Sequence, residues 1–433
     1  MGAGHSAEDP RAAAAGTERR RALGVWTLLA LGVNGIVGVG IFFTPNLVAL
    51  AVPGTAGVWA YALTLLALLP VAMTYARLGA RFDRDGGPYV WASAAFGPAA
   101  GFVVGFAAYA SAVLSTSAVL AGLGEYTAPL LGFGAQKQAF SLLAAMLFAA
   151  VVGAGLRPSA WVWSSLTVLK LVPLVLLVGV FLTAGHGATH SPLPSCTPSW
   201  SRAVLFIVFA MQGFEIVPVP GSHVRSAQRA IPIATIGSLV LCAGLYMLIH
   251  WACVRSVGNL ALTEAPLVAA ARALGGFKLA ALVSMGTNVS AVGIAFGMMA
   301  MTPRYLAALD FGGEKTGGSP GLGAESLQQV PGRALLVTLV LVLLLLSWGA
   351  LSRLFVLSSV AVLFQYSVSV LSLGVLALRR AHGLSPRDAL AAPLALVALA
   401  LVARAVERAE LWVMSGIVAA ALLLWFVRVR SRR

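Results

Sequence analysis

Two stretches of the sequence could hold a small charged molecule on backbone groups alone. The first, GVNGIVGVGIFFTP at 32–45, sets Gly32, Gly35, Gly38 and Gly40, with Asn34, inside an apolar run that continues past Pro45. The second, MQGFEIVPVPG at 211–221, interrupts another apolar run with Gly213, Pro218, Pro220 and Gly221. Glycine and proline both weaken a helix interior. An unwound turn frees N–H and C=O groups that are costly in hydrocarbon, so it survives only inside protein or beside water. There the freed groups are ligands. A half-helix N-terminus offers N–H donors to an anion, and freed carbonyls accept from an ammonium. A zwitterion needs both, so a pair of such breaks fits an α-amino acid. The glycines of the first stretch are spaced by three, three and two residues. None of these is the four-residue spacing of a helix-packing seam, which predicts an opened helix.

Ionisable groups inside apolar runs are expensive and are functional candidates by default. Lys170 lies about ten residues into an apolar run, flanked by Leu and Val, too deep to snorkel to the surface. It predicts either a proton carrier for a coupled process or a fixed charge holding neighbouring helices. Glu215 falls in the second break, where it can meet a ligand side chain, sense pH or satisfy freed N–H groups of its own helix. Asn34 and Tyr109 are candidate pocket residues, and Ser284, Thr287, Asn288 and Ser290 form a polar group on a later run. Glu125, His250 and Trp251 read as interfacial.

The elements that must position these residues are membrane helices. The chain is 433 residues long, 59% hydrophobic and only 10% charged, with a mean hydropathy of +0.91. Soluble domains carry about 25% charged residues. About twelve runs are long enough to span a bilayer, near 22–50, 57–80, 97–123, 138–156, 159–184, 200–221, 231–254, 277–302, 332–350, 352–378, 389–405 and 410–428. With both termini inside, one side carries 20 Lys/Arg and the other eight, and Lys170 completes the total of 29. That bias is the positive-inside rule, so the net charge of +15 is topogenic and predicts no nucleic-acid partner. The three cysteines, Cys196, Cys242 and Cys253, make no metal or disulfide pattern, and no cofactor is predicted. Without a metal cluster, nucleophile elbow or phosphate loop, the chain is not predicted to be an enzyme or an ATP-driven pump. The two breaks fall at matching places in two five-run blocks, the best sequence pointer to an inverted-repeat transporter and its binding site.

Several ordered motifs resemble the amino acid–polyamine–organocation transporter superfamily. They are GIVGVGIF on the first run, DGGPYVWASAAFGPAAGFVVGF at 85–106, LTVLKLVPL at 166–174, FAMQGFEIVPVPGSHVRSAQRAIPIATIG at 209–237 and TPRYLAALDFGG after the eighth run. The resemblance implies an all-α polytopic membrane protein of about 12 transmembrane helices. Its fold would be a five-plus-five inverted repeat with broken spans 1 and 6. The implied organisation is a disordered cytoplasmic tail at 1–21, a transport core at 22–380 with repeats near 22–184 and 200–380, and two further spans with a basic tail at 381–433. The implied function is secondary active transport of amino acids or related amines across the cytoplasmic membrane by alternating access, proton-coupled or by exchange. A sodium symporter and a non-transporting sensor on the same scaffold are the alternatives.

Carried onto this chain, the resemblance puts the substrate carboxylate on the N–H groups near Gly38, Val39 and Gly40. The ammonium would meet the carbonyls of Ile36, Phe209 and Gln212, beside Gly213, with Phe209 as an aromatic lid. Lys170 would stand in for a bound sodium ion. Val39 replaces a serine found in several members, leaving the carboxylate a backbone-only site. Ser222-His223 replaces an acidic pair near the cytoplasmic end.

Overall fold

The computed structural model of the chain describes residues 23–82, 86–155, 160–183, 197–220, 224–309, 332–348 and 350–431. The N-terminal tail, the Gly/Ser-rich insert at 312–331, Cys196 and the Ser222-His223 pair lie outside the described residues. Within them the named elements are helices. The first apolar run forms α1 (Val25–Ile36) and α2 (Gly40–Ala51), bent by 51° at the intervening residues. Next come α3 (Gly57–Arg81), a short α4 (Pro88–Phe96), α5 (Pro98–Leu130), α6 (Lys137–Gly153) and α7 (Ala160–Thr183). The second half holds α8 (Trp200–Met211), α9 (Ala227–Ser256), α10 (Pro266–Ala308), α11 (Gly332–Trp348) and α12 (Leu351–Leu378). The last two are α13 (Ala391–Ala403) and α14 (Arg408–Ser431).

Local sequence explains the punctuation. Gly97, at φ +94°, ends α4, and Pro98 opens α5. Gly276, at φ +67°, divides α10 into a short arm and a span that begins where the eighth apolar run is expected. Among the described residues, eight helices are long and apolar enough to cross a membrane, or nine if α1 and α2 make one bent span. Three shorter apolar helices, Val168–Thr183, Trp200–Met211 and Gly332–Trp348, fall in the fifth, sixth and ninth runs. The chain is a multi-pass membrane protein.

The helices α5 and α12 are the most enclosed, with 78% and 72% of their most apolar windows buried, whereas α13 and α14 are the least, at 22% and 17%. The last pair therefore sits at the periphery. The central contacts fall into a pattern. α3 packs on α9, α5 on α10, and α2 on α8. α5 packs on α12 as α10 packs on α7, α3 meets α12 as α9 meets α7, and α5 meets α6 as α10 meets α11. Each of these named contacts has its partner five runs along the chain.

Ion pairs fasten the peripheral helices. Arg77 of α3 pairs with Asp388 at 2.8 Å, just before α13. Arg202, in the first turn of α8, reaches Glu410 at 3.0 Å and Glu407 at 3.6 Å at the start of α14. The Glu410 carboxylate is buried, so removing its partner should cost more than breaking a surface pair. Arg202→Met is expected to destabilise the protein by about 1–3 kcal/mol, between the exposed and buried limits. Thermal unfolding in detergent checks this.

Of the neighbouring pair on α9, Trp251 is 40% exposed, whereas His250 is fully buried, with its ring 5.1 Å from that of Tyr61. Adjacent helix residues point about 100° apart, so only one of them can face outward.

Candidate functional site

The first break is short. The Val37 N–H still donates to the Val33 carbonyl at 2.8 Å, but the Gly38 N–H turns back to Ile36 at 2.7 Å. That leaves the Asn34 carbonyl without its helical donor. The Lys170 ammonium of α7 takes its place, donating to Asn34 O at 2.8 Å. Lys170 is 3% exposed, and among the described residues no carboxylate lies within ion-pair distance of it. The Ile36 carbonyl accepts from the Tyr246 hydroxyl of α9 at 2.9 Å. Two protein donors therefore occupy two of the carbonyls on the freed acceptor side of the break, Asn34 and Ile36. Its donor side is open: among the described residues the N–H groups of Val39, Gly40 and Ile41 have no acceptor. They lie at the N-terminus of α2, where the helix dipole favours negative charge.

The glycines divide the labour. Gly32, Gly35 and Gly40 are packing residues. A Cβ on Gly40 would stand 2.7 Å from Ala210 Cα, and one on Gly35 would stand 3.0 Å from the Gly213 carbonyl oxygen. One on Gly32 would press on Ser238 and Val217. Only Gly38 faces space, with Ile36 O at 3.8 Å and Ile294 Cδ1 at 3.9 Å as its nearest neighbours. The lack of a four-residue spacing argues for opening over packing, yet both occur. Each short half-helix meets a different neighbour, so no long seam is needed. The Val39 side chain does not line the open space but packs on Gly122 of α5.

The second break is longer. α8 ends at Met211, Gln212 is extended at ψ 148°, and Gly213 takes φ +123°. The chain then makes a 3-10 turn, Phe214–Ile216, and further turns up to Pro220 rather than a second α-helical half. Gly213, Pro218 and Pro220 together explain this. Glu215 satisfies its own break: its Oε2 accepts from the Gly213 N–H at 2.7 Å and from the Tyr366 hydroxyl of α12 at 3.0 Å. The two breaks touch backbone to backbone at Gly35 and Gly213.

Phe209 stacks on Phe355 of α12, with ring centroids 4.1 Å apart, and lies against Gly40. Gln212 contributes its side chain as well as its backbone. The Ser115 hydroxyl of α5 and the Ser358 hydroxyl of α12 are 2.6 Å apart, and both lie near Gln212 Oε1, at 3.5 and 3.3 Å. The other end of that amide, Nε2, is buried with no partner among the described residues. Ser115, Ser358, Tyr246 and Tyr366 do not stand out in the sequence. Their hydroxyls carry no motif and show their use only once the helices are packed.

Among the described residues the other candidates bond no group of either break. The Tyr109 hydroxyl bonds Thr338 of α11 at 3.0 Å. Thr287 bonds its own helix at Val283 O, and Asn288 accepts from Thr127 at 2.6 Å while donating to Ser284 O. The Ser290 hydroxyl is buried without a partner among the described residues. Glu125 pairs with Lys137 at 2.7 Å at a partly exposed position.

The profile of the amino acid permease family matches residues 23–427. An uncharacterized transporter of Mycobacterium tuberculosis is 29% identical over 283 residues, covering 64% of this chain and 62% of its own length. The serine/threonine exchanger SteT of Bacillus subtilis is 25% identical over 302 residues, 67% of this chain and 68% of its own. The branched-chain amino acid permease BcaP of Lactococcus lactis is 29% identical over 245 residues, 50% and 52% of the two chains. This chain thus spans less than two thirds of the length of the mycobacterial relative and about half that of the branched-chain permease. These relatives are transporters, not enzymes. With its profile matched over nearly the whole sequence, the chain belongs to the amino acid permease family.

Proposed function

We propose that the protein carries amino acids or related amines across the cytoplasmic membrane by alternating access around the two breaks. The observation that carries this reading is the row of unpaired N–H groups at Val39, Gly40 and Ile41 beside the open face of Gly38. They would take the α-carboxylate. The ammonium would be held by the second break, at the C-terminal carbonyls of α8, because Ile36 is already engaged by Tyr246. A neutral side chain suits the site best. Glu215, the acidic residue in the second break, is spent on Gly213 and Tyr366. The relatives named for serine/threonine and for branched-chain substrates fit that class.

The helix contacts support the five-plus-five repeat, since a shift of five runs carries α5–α12 onto α10–α7, α3–α12 onto α9–α7 and α5–α6 onto α10–α11. The bracing of the breaks supports it too. The fifth run of each block steadies the break in its own block: Lys170 of α7 the first, and Ser358 and Tyr366 of α12 the second. Twelve crossings with both termini cytoplasmic complete the topology, in keeping with the charge bias. Lys170 favours proton coupling or exchange over sodium symport, because a fixed ammonium already occupies the freed carbonyl of Asn34. The test is uptake and exchange by purified protein in proteoliposomes, screened over amino acids and amines. Saturable, sodium-independent flux of neutral amino acids is expected. A folded preparation that moves none of them would refute the proposal.

A further inference from the structure

We infer that Gln212, Ser115 and Ser358 form the subsite for the substrate side chain, and that it selects a hydroxyl. The inference rests on the proposed transport of amino acids and names their class. The three residues come from three different helices and meet at the second break, one turn beyond the stacked Phe209. The two serines have two protons to share between each other and Gln212 Oε1, so the carbonyl end of the amide is satisfied. Its Nε2 is not.

Leaving a buried amide donor unpaired costs more than the net worth of a typical hydrogen bond, so an acceptor supplied by the substrate is recognised with unusual leverage. If the amide is turned over, Nε2 meets the serines and the unpaired end becomes an acceptor. A hydroxyl satisfies either orientation, because it both donates and accepts. A methyl group of the same size satisfies neither. At the first break the open face of Gly38 has the apolar Ile294 as a neighbour, its Cδ1 3.9 Å from where a Cβ on Gly38 would stand. Serine and threonine fit this arrangement; alanine and valine are their matched analogues without the hydroxyl.

Binding to the purified protein tests this separately from flux. Ligand-dependent shifts in thermal unfolding would be titrated with threonine against valine and with serine against alanine. The wild type should prefer the hydroxyl member of each pair by about tenfold or more, since sites built around a hydrogen bond reject analogues that lack it. In Gln212→Leu the preference should collapse, through weaker threonine binding with valine binding kept or improved. Ser358→Ala should narrow the preference without abolishing it. The inference is overturned if the wild type binds valine as tightly as threonine. It is equally overturned if Gln212→Leu weakens both by the same factor, which would place the amide on the common amino acid backbone. Selective threonine binding without flux would leave this inference standing and remove the transport reading. Binding of no amino acid would remove both.

Discussion

Lys170→Gln is expected to lower amino acid uptake by about 10–150-fold, the equivalent of losing one hydrogen bond from a charged donor, worth about 1.5–3 kcal/mol. The change leaves a side chain of comparable length but removes the ammonium that holds the Asn34 carbonyl. Without it the freed oxygen of the first break is buried with a weaker donor, and α1 is free to rewind toward a continuous helix. That would withdraw the N–H groups of Val39, Gly40 and Ile41 from the site. If Lys170 also carries the coupled proton, the residual uptake should lose its response to an imposed pH gradient. Uptake by the variant in proteoliposomes, with and without the gradient, separates the two roles. Proton dependence that survives unchanged would refute the carrier role and leave the bracing role. Unchanged uptake would refute both.

Gly213→Ala should be the most damaging small substitution in the protein. Gly213 sits at φ +123°, a conformation L side chains rarely adopt, and a Cβ there would stand 2.6 Å from the Ile36 nitrogen and overlap the Gly35 carbonyl. Neither neighbour is a flexible side chain that can swing aside. Backbone strain of about 1–3 kcal/mol and overpacking of about 1–3 kcal/mol add at the same place. The expected result is a large fall in yield of folded protein and in its unfolding temperature. Gly38→Ala is the control. Its Cβ meets nothing closer than 3.8 Å, so folding should be preserved. The methyl would project into the open face of the first break and weaken substrate binding by about 10–200-fold, the usual worth of one methyl group in a site. Equal stability loss in the two variants would contradict the division of the glycines into packing and site positions.

Much of this architecture is legible in the residues. The broken first run can be read from GIVGVG, and Lys170 stands out by its depth in an apolar run, because composition and position are local signals. What escapes the sequence is the partner of each group. Lys170 is visible there as a charge, but only the packed helices show that its ligand is the Asn34 carbonyl. The resemblance assigns Ile36 to the substrate ammonium, and only the packed helices show that its carbonyl accepts from the Tyr246 hydroxyl. Glu215 has three open readings in the sequence, and the one in which it satisfies its own helix matches its contacts with Gly213 and Tyr366. Gln212 is expected to act through its carbonyl, and its side chain proves as informative. Hydroxyls such as Ser115 and Ser358 look like ordinary helix residues, since serine often bonds its own helix backbone. Their pairing across α5 and α12 is set by tertiary packing, about which a one-dimensional pattern says nothing.

The structure of the protein with threonine bound would test the two-break site at atomic detail. The carboxylate should lie within about 3 Å of the Val39, Gly40 and Ile41 amides, the usual N–H to oxygen distance. The ammonium should sit at the C-terminal carbonyls of α8, and the side-chain hydroxyl on Gln212. A ligand seated away from Gly38, with those three amides still unpaired, would contradict a binding site built from the two breaks.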